Sequence, residues 1–129
     1  MIKILDPDNP YYILVPKSDD FSERLYRYEI YNDKGVDTDA FLYIEFREEF
    51  YYEIEQKLFD FINKKCNLYI NMYEEEVIEP EKLPTVLDLT KNSMANLSSE
   101  DDKYLDFCKE FIALLNYAIE HQVPVGLYF

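Results

Sequence analysis

The chain has 129 residues, with 27 acidic against 13 basic side chains and a formal net charge of −14. This length fits a single domain over residues 1–129, and a hydrophobic content of 48% is high enough for that domain to fold around one core. The charge repels nucleic acids and anionic membranes, so we expect direct binding to neither, whereas basic protein surfaces are attracted.

The first elements are predicted to be strands. Tyr11–Val15 is rich in aromatic and β-branched side chains and lies between two prolines, which are acceptable at strand ends. Arg24–Tyr31 alternates tyrosine and isoleucine with polar residues, and Asn32–Gly35 has the composition of a turn. We therefore expect two strands, the second of which ends in a tight turn.

Residues 38–46 are compatible with two structures. Phe41–Phe46 fits a strand returning from that turn, but Leu42 also continues the apolar spacing of the helix that follows; we favour the strand. The helix is predicted near residues 47–65, because apolar side chains recur there every three or four positions. Its predicted buried stripe comprises Phe46, Phe50, Ile54, Leu58, Phe61 and Ile62.

The middle of the chain has weaker patterns. Asn67–Tyr73 alternates between two sets of side chains, which predicts a further strand. The acidic stretch Tyr73–Lys82, with the sequence YEEEVIEPEK, follows it, and we expect its side chains to project into solvent. Residues 80–99 fit either a helix begun by Pro84 or an alternating, strand-like pattern.

A second clear helix is predicted near residues 100–121, where a wide apolar stripe indicates that the helix is central and largely buried. Val123–Phe129 is apolar and strand-like, so it has to be buried or paired. Together the patterns predict an α+β fold, a single compact domain of three to five mostly antiparallel strands packed with two or three helices.

Catalytic signatures are not found in the sequence. The two glycines, Gly35 and Gly126, are too few for a phosphate-binding loop, a dinucleotide fingerprint or a nucleophile elbow. The one histidine, His121, closes the second helix, where an imidazole interacts favourably with the helix dipole. We therefore expect a protein that is not an enzyme and that binds no cofactor.

Asp37 and Asp39 have the spacing of a metal-binding carboxylate pair, but acidic residues are so abundant here that we favour a turn role and expect no metal. Cys66 and Cys108 fit no metal spacing and lie in apolar patterns, so core packing is expected. Unpaired cysteines, and the lack of a signal peptide or membrane span, favour the cytoplasm.

Tyrosine is interleaved with glutamate along the chain, which contains 13 tyrosines. Tyrosine is a frequent anchor in protein interfaces, and surrounding carboxylates steer a basic partner. These patterns predict a partner-binding face composed of Glu49, Tyr52, Glu53, Tyr69, Tyr73, Glu74, Glu75, Glu76 and Glu79.

The preferred functional hypothesis is an acidic inhibitor of a basic protein. The size of this chain, its charge and the absence of catalytic motifs from its sequence are typical of bacterial immunity proteins, which occlude toxin domains such as nucleases. No residue motif assigns the chain to a family. One alternative is a DNA mimic of the anti-restriction or anti-CRISPR type, which uses the same charge against a nucleic-acid-binding protein. Another is a structural or accessory domain that forms a homodimer through its apolar C-terminal strand.

Overall fold

The computed structural model describes residues 11–71, 75–97 and 102–129 of the chain. The strands are β1 (Tyr11–Pro16), β2 (Tyr31–Asn32), β3 (Gly35–Val36), β4 (Phe41–Phe46), β5 (Glu75–Ile78) and β6 (Val125–Tyr128). Four of them form an antiparallel sheet with the strand order β4–β1–β6–β5. The other two, β2 and β3, have two residues each and form a hairpin around the turn predicted at Asn32–Gly35.

Helices cover one face of the sheet and form the main core with it. The opposite face, which we call the outer face, carries a smaller hydrophobic cluster beneath the segment between β1 and β4. The predicted α+β domain is therefore confirmed, and 41–46 is a strand. The helices are α1 (Ser22–Tyr26), α2 (Glu48–Ile54), α3 (Asp60–Cys66), α4 (Leu83–Ala95) and α5 (Asp102–His121).

The helix predicted near residues 47–65 is present, but a π turn at Glu55–Phe59 interrupts it between α2 and α3. The wider turn keeps Ile54, Leu58 and Ile62, spaced by four, in the core. It also turns Phe59 inward and leaves Phe61 54% exposed. The prediction that Phe61 belongs to the buried stripe is therefore wrong.

The strand predicted over Arg24–Tyr31 is also wrong. Ser22–Tyr26 is helical, Tyr28 has a positive φ of 59°, and only Tyr31 enters a strand. The helical turn buries Leu25 completely, and it lets Arg24 donate hydrogen bonds to the Glu29 carbonyl at 2.8 Å and to the Asp37 carboxylate at 3.0 Å. These tertiary contacts favour the helix over the alternating pattern.

Residues 67–71 of the strand predicted over Asn67–Tyr73 do not form a strand, and residues 72–73 lie outside the described part of the chain. Asn67 ends α3 in the left-handed conformation, with φ at 55°. The Asn63 side chain then donates to the Ile70 carbonyl at 3.0 Å and accepts from the Ile70 amide at 2.7 Å. Because one side-chain amide satisfies both groups, Ile70 needs no strand partner.

Two further predictions concern the second half of the chain. Residues 83–95 form α4, with Pro84 in its first turn, so the helical alternative is correct. The predicted helix near residues 100–121 is present as α5, and the apolar run that follows it forms β6. β6 pairs with β1 on one side and β5 on the other. Both of its edges are occupied, so β6 offers no free edge to a second copy of the chain.

Candidate protein-binding surface

The outer face of the sheet carries a row of four side chains that crosses all four strands. The ladder register places Glu45 of β4 opposite Tyr12 of β1, Tyr12 opposite Tyr128 of β6, and Tyr128 opposite Glu75 of β5. Side chains directly opposite each other in a sheet lie on the same face and interact. The result is a cross-sheet row with a carboxylate at each edge and two tyrosines between them.

One end of the outer face is closed by α1. Leu25 is fully buried there, in the same hydrophobic cluster as Leu14, Phe41 and Tyr128. The Tyr128 hydroxyl donates a hydrogen bond to the Leu25 carbonyl, which fixes the buried ring of the cross-sheet row. The covering segment therefore supports the row from one side.

Further tyrosines extend the row into a surface. The Tyr12 ring lies 6.1 Å from that of Tyr31 and 5.9 Å from that of Tyr43, in edge-on contacts. The Tyr28 ring contacts Tyr128 in the same way at 6.0 Å. Tyr28 is 58% exposed and Tyr43 is 40% exposed. We call this set the tyrosine–glutamate surface; it consists of Tyr12, Tyr28, Tyr31, Tyr43, Glu45 and Glu75.

A second tyrosine–carboxylate pair lies at the edge of this region. The Tyr26 hydroxyl donates to Glu79 at 2.5 Å and joins α1 to the segment after β5. Burial, together with this hydrogen bond, raises the pKa of Tyr26. The pair therefore contributes a negative charge that a neutral phenol holds in position.

The electrostatics of the tyrosine–glutamate surface follow from its neutral phenols. Burial, with the neighbouring Tyr31 and Glu45, raises the pKa of Tyr12 to about 12. Burial, with the nearby Glu75 carboxylate, also raises the pKa of Tyr31. At neutral pH both phenols keep their protons, so the negative charge is carried by the flanking carboxylates. The surface thus combines aromatic rings that attract cations with carboxylates that pair with them.

The structure separates the predicted partner-binding residues. Glu75 belongs to the tyrosine–glutamate surface, and Glu79 lies beside it. Tyr73 and Glu74 fall outside the described residues. The remaining five lie on other parts of the molecule: Glu49, Tyr52, Glu53, Tyr69 and Glu76.

Three of these five lie on α2, in the helical layer on the opposite side of the sheet from Glu75. Tyr52 is 46% exposed, and Glu53 pairs with Lys57 at 3.6 Å. Tyr69 and Glu76 form a separate pair, in which the Tyr69 amide donates to the Glu76 carboxylate at 3.3 Å. The predicted single face is therefore divided among three places.

Sequence reasoning missed the surface residues of β1 and β4. Tyr12, Tyr43 and Glu45 occupy the polar phase of their strands, since Ile13 and Ile44 point into the core. That alternation was visible in the sequence, but the register that aligns Tyr12 with both Glu45 and Tyr128 was not. The available signal was a tyrosine in the outward phase of the strands predicted at Tyr11–Val15 and Phe41–Phe46.

Asp37 has a structural role in its turn. Its carboxylate accepts from Arg24 at 3.0 Å and from the Asp39 amide at 3.1 Å, and the hydrogen bond from Arg24 is the main cause of its lowered pKa. Within residues 11–71, 75–97 and 102–129, no group of three potential ligand side chains converges on a metal site. The turn role expected for this residue agrees with these contacts.

The single histidine and both cysteines also have packing roles. The His121 ring lies at the end of α5 in tilted contact with the Tyr117 ring, with the ring centres 4.1 Å apart. Cys66 and Cys108 are free and buried, and burial raises the pKa of each thiol. The core-packing role predicted for both cysteines is therefore confirmed.

No known family model matches the chain, and no curated protein or solved structure matches it either. None of the helices in the described part of the chain combines the length and the apolar character needed to cross a membrane.

Proposed function

We propose that the protein binds a basic protein partner and inhibits it by covering its functional cleft, as a bacterial immunity protein covers a nuclease toxin domain. The observation that supports this proposal is the cross-sheet row Glu45–Tyr12–Tyr128–Glu75, which lies on the face that the long helices leave open. We place the encounter in the cytoplasm, where the free thiols of Cys66 and Cys108 would stay reduced.

The row provides the two kinds of contact that basic partners require. Arginine and lysine side chains are attracted to tyrosine ring faces and pair with carboxylates. Exposed Tyr43 provides ring area two residues before Glu45 on β4. Exposed Tyr28 provides ring area against Tyr128, the residue that lies opposite Glu75. A partner cation that enters from solvent would therefore meet an aromatic ring and a carboxylate together.

The net charge adds a long-range component. A chain with a charge of −14 creates a negative potential that guides a basic protein to its surface before contact. Such steering raises the association rate and is weakened by salt. Binding is therefore expected to be fast at low ionic strength, with specificity set by the ordered tyrosines.

A photo-crosslinking experiment tests the proposal. Tyr43 is replaced by the photoreactive residue p-benzoylphenylalanine, and Phe61 serves as a matched control because it is an exposed aromatic residue of the helical layer. We expect illumination in a lysate of the source cells to join the Tyr43 variant to one basic protein, and the adduct to disappear at about 0.5 M salt. The Phe61 variant is expected to form no such adduct.

The outcomes separate the competing hypotheses. A captured toxin domain, inhibited by the purified protein, would support the immunity role. A captured restriction or CRISPR component would instead support the DNA-mimic hypothesis. Equal capture through Tyr43 and Phe61, or capture of an acidic protein, would contradict the proposed surface.

A further inference from the structure

The strand β4 lies at one edge of the described sheet. The Lys17 amide donates to the Ala40 carbonyl at 2.8 Å, so these opposite residues form a hydrogen-bonded pair at the end of the β1–β4 ladder. Hydrogen-bonded and non-hydrogen-bonded pairs alternate along an antiparallel ladder. By that alternation, Leu42 and Ile44 direct their main-chain groups toward β1, whereas Tyr43 and Glu45 direct theirs away from it. An edge of this kind is a template on which another strand can pair.

A groove runs beside the same edge. It has a volume of about 330 Å³ and lies between β4, the start of α2 and the first half of α5. Its apolar lining comes from Ile44, Phe46, Phe50 and Phe107, and the three phenylalanine rings contact one another edge-on at 5.8 to 6.2 Å. The groove could therefore hold an apolar side chain from a strand laid along β4.

The charged lining of the groove is mixed. Asp106 and Glu110 of α5 are acidic and Lys103 is basic, while Glu45 and Arg47 border the groove on β4 and just after it. The Lys103 ammonium lies 4.7 Å from the centre of the Phe50 ring, so this cation packs on one of the aromatic rings of the groove. The acidic residues outnumber the basic ones here, as they do in the whole chain.

We propose that the edge of β4 receives an extended segment of the basic partner as a fifth strand of the sheet. The main chain of that segment pairs with Tyr43 and Glu45, its alternate apolar side chains enter the groove, and its lysine or arginine side chains lie on the outer face. This inference rests on the proposed function, since it specifies how the same partner is held. It also extends the cross-sheet row by one position, which places a cation next to Glu45.

Charge decides between this occupant and a second copy of the chain. If two copies of β4 paired antiparallel about Ile44, Tyr43 of each would lie opposite Glu45 of the other, and the two Glu45 side chains would become diagonal neighbours on one face. That arrangement brings like charges together, and it joins two chains that each carry a charge of −14. A basic strand replaces this repulsion with attraction.

The test uses a defined probe, a short capped peptide of alternating lysine and valine. We expect it to slow hydrogen exchange at the Tyr43 and Glu45 amides in NMR spectra of the labelled protein. The same peptide with alternate backbone nitrogens methylated keeps its charge but cannot form the ladder, so we expect it to give no such protection. The Glu45→Lys substitution should weaken binding of the unmodified peptide roughly tenfold, since the attraction between Glu45 and a peptide lysine on the neighbouring strand becomes a repulsion between two lysines.

Asp88→Lys, an exposed change on α4, provides the charge-matched control and should leave the peptide affinity near that of the wild type.

Equal binding of the methylated peptide, or perturbation only around Tyr28, Tyr31 and Glu75, would overturn strand addition and leave the tyrosine–glutamate surface as the docking site. Exchange protection at β4 in a concentrated sample without peptide, together with a dimer in sedimentation, would assign the edge to a second copy. Failure of both the peptide and the Tyr43 crosslink would reject the proposed function as well.

Discussion

Leu25 packs directly on Gly126. A Cβ atom at Gly126 would lie 2.8 Å from Leu25 Cδ2, well inside van der Waals contact, and 2.9 Å from Tyr128 Cε2. Glycine at this position of β6 therefore lets α1 sit on the sheet and close one end of the outer face. The placement of the tyrosine–glutamate surface depends on this close approach.

Gly126→Ala is expected to destabilise the fold by about 1–3 kcal/mol, because the new methyl group overpacks a filled site. Leu25→Ala alone is expected to cost about 2–5 kcal/mol through the cavity it creates. In the double variant the new methyl group occupies part of that cavity. Gly126→Ala should therefore lower the free energy of unfolding less in the Leu25→Ala background than in the wild type. Urea denaturation of the four proteins measures this coupling, and strictly additive costs would contradict the contact.

A hydroxyl pair joins the helices of the main core. Ser93 of α4 donates to the Lys57 carbonyl in the π turn at 3.1 Å, and its oxygen lies 2.6 Å from the Tyr104 hydroxyl of α5. Because a carbonyl can only accept, this arrangement makes Tyr104 the donor to Ser93. One serine therefore connects three helical segments.

Ser93→Ala is expected to lower the free energy of unfolding by about 1–3 kcal/mol, since it leaves both the Tyr104 hydroxyl and the Lys57 carbonyl without this partner. Thr85→Ala, at an exposed position of the same helix, should stay within about 0.5 kcal/mol of the wild type. Chemical denaturation monitored by circular dichroism compares them. Equal stability of the two variants would show that the hydroxyl pair does not hold the helices together.

Alkaline pH is expected to unfold the protein through its buried phenols. Burial raises the pKa values of Tyr51, Tyr104 and Tyr128 in the folded state. The unfolded chain loses these protons near pH 10 while the folded chain keeps them, so stability is full below that pH and falls above it. Each such tyrosine contributes a slope of about 1.4 kcal/mol per pH unit.

Urea denaturation at several pH values between about 8 and 11 measures this slope, with tyrosinate absorbance as the titration signal. Tyr104→Phe removes one buried phenol and should make the decline shallower. A free energy of unfolding that stays constant above pH 10, or an unchanged slope in the variant, would contradict the prediction.

The Arg24–Asp37 pair is expected to contribute stability with the opposite pH dependence. Arg24 lowers the pKa of Asp37, so the contribution is present above the pKa of the unfolded carboxyl and is lost as pH falls through the folded value. Asp37→Asn should therefore be less stable than the wild type at neutral pH and approach it in acid. Thermal unfolding at both pH values tests this, and a difference that grows in acid would contradict it.

Much of the fold could be predicted from local patterns. Tyr11–Val15, Phe41–Phe46 and both long helices were correctly assigned, because their apolar spacing agrees with their burial. The errors arose where tertiary contacts decided the structure. The side chain of Asn63 took both main-chain groups of Ile70, and the π turn shifted the phase of the helix at Phe61.

The candidate surface was less predictable than the fold. Charge and tyrosine content predicted an acidic interface, and of the predicted residues the structure brings Glu75 into the cross-sheet row. The cross-sheet row depends on the pairing of β1 with β6, which joins residues far apart in the sequence. No local pattern specifies that register, so Tyr12 and Glu45 became apparent only in the folded structure.

Docking through the tyrosine–glutamate surface is decided by the rate of association with the partner captured through Tyr43. Glu45→Lys together with Glu75→Lys reverses both ends of the cross-sheet row, while Asp88→Lys with Glu120→Lys makes the same change in net charge on the exposed surfaces of α4 and α5. We predict that the first pair slows association at low salt by at least roughly tenfold more than the second, as local charge complementarity requires. Equal slowing by the two pairs would show that net charge alone guides the encounter, and would contradict the tyrosine–glutamate surface as the docking site.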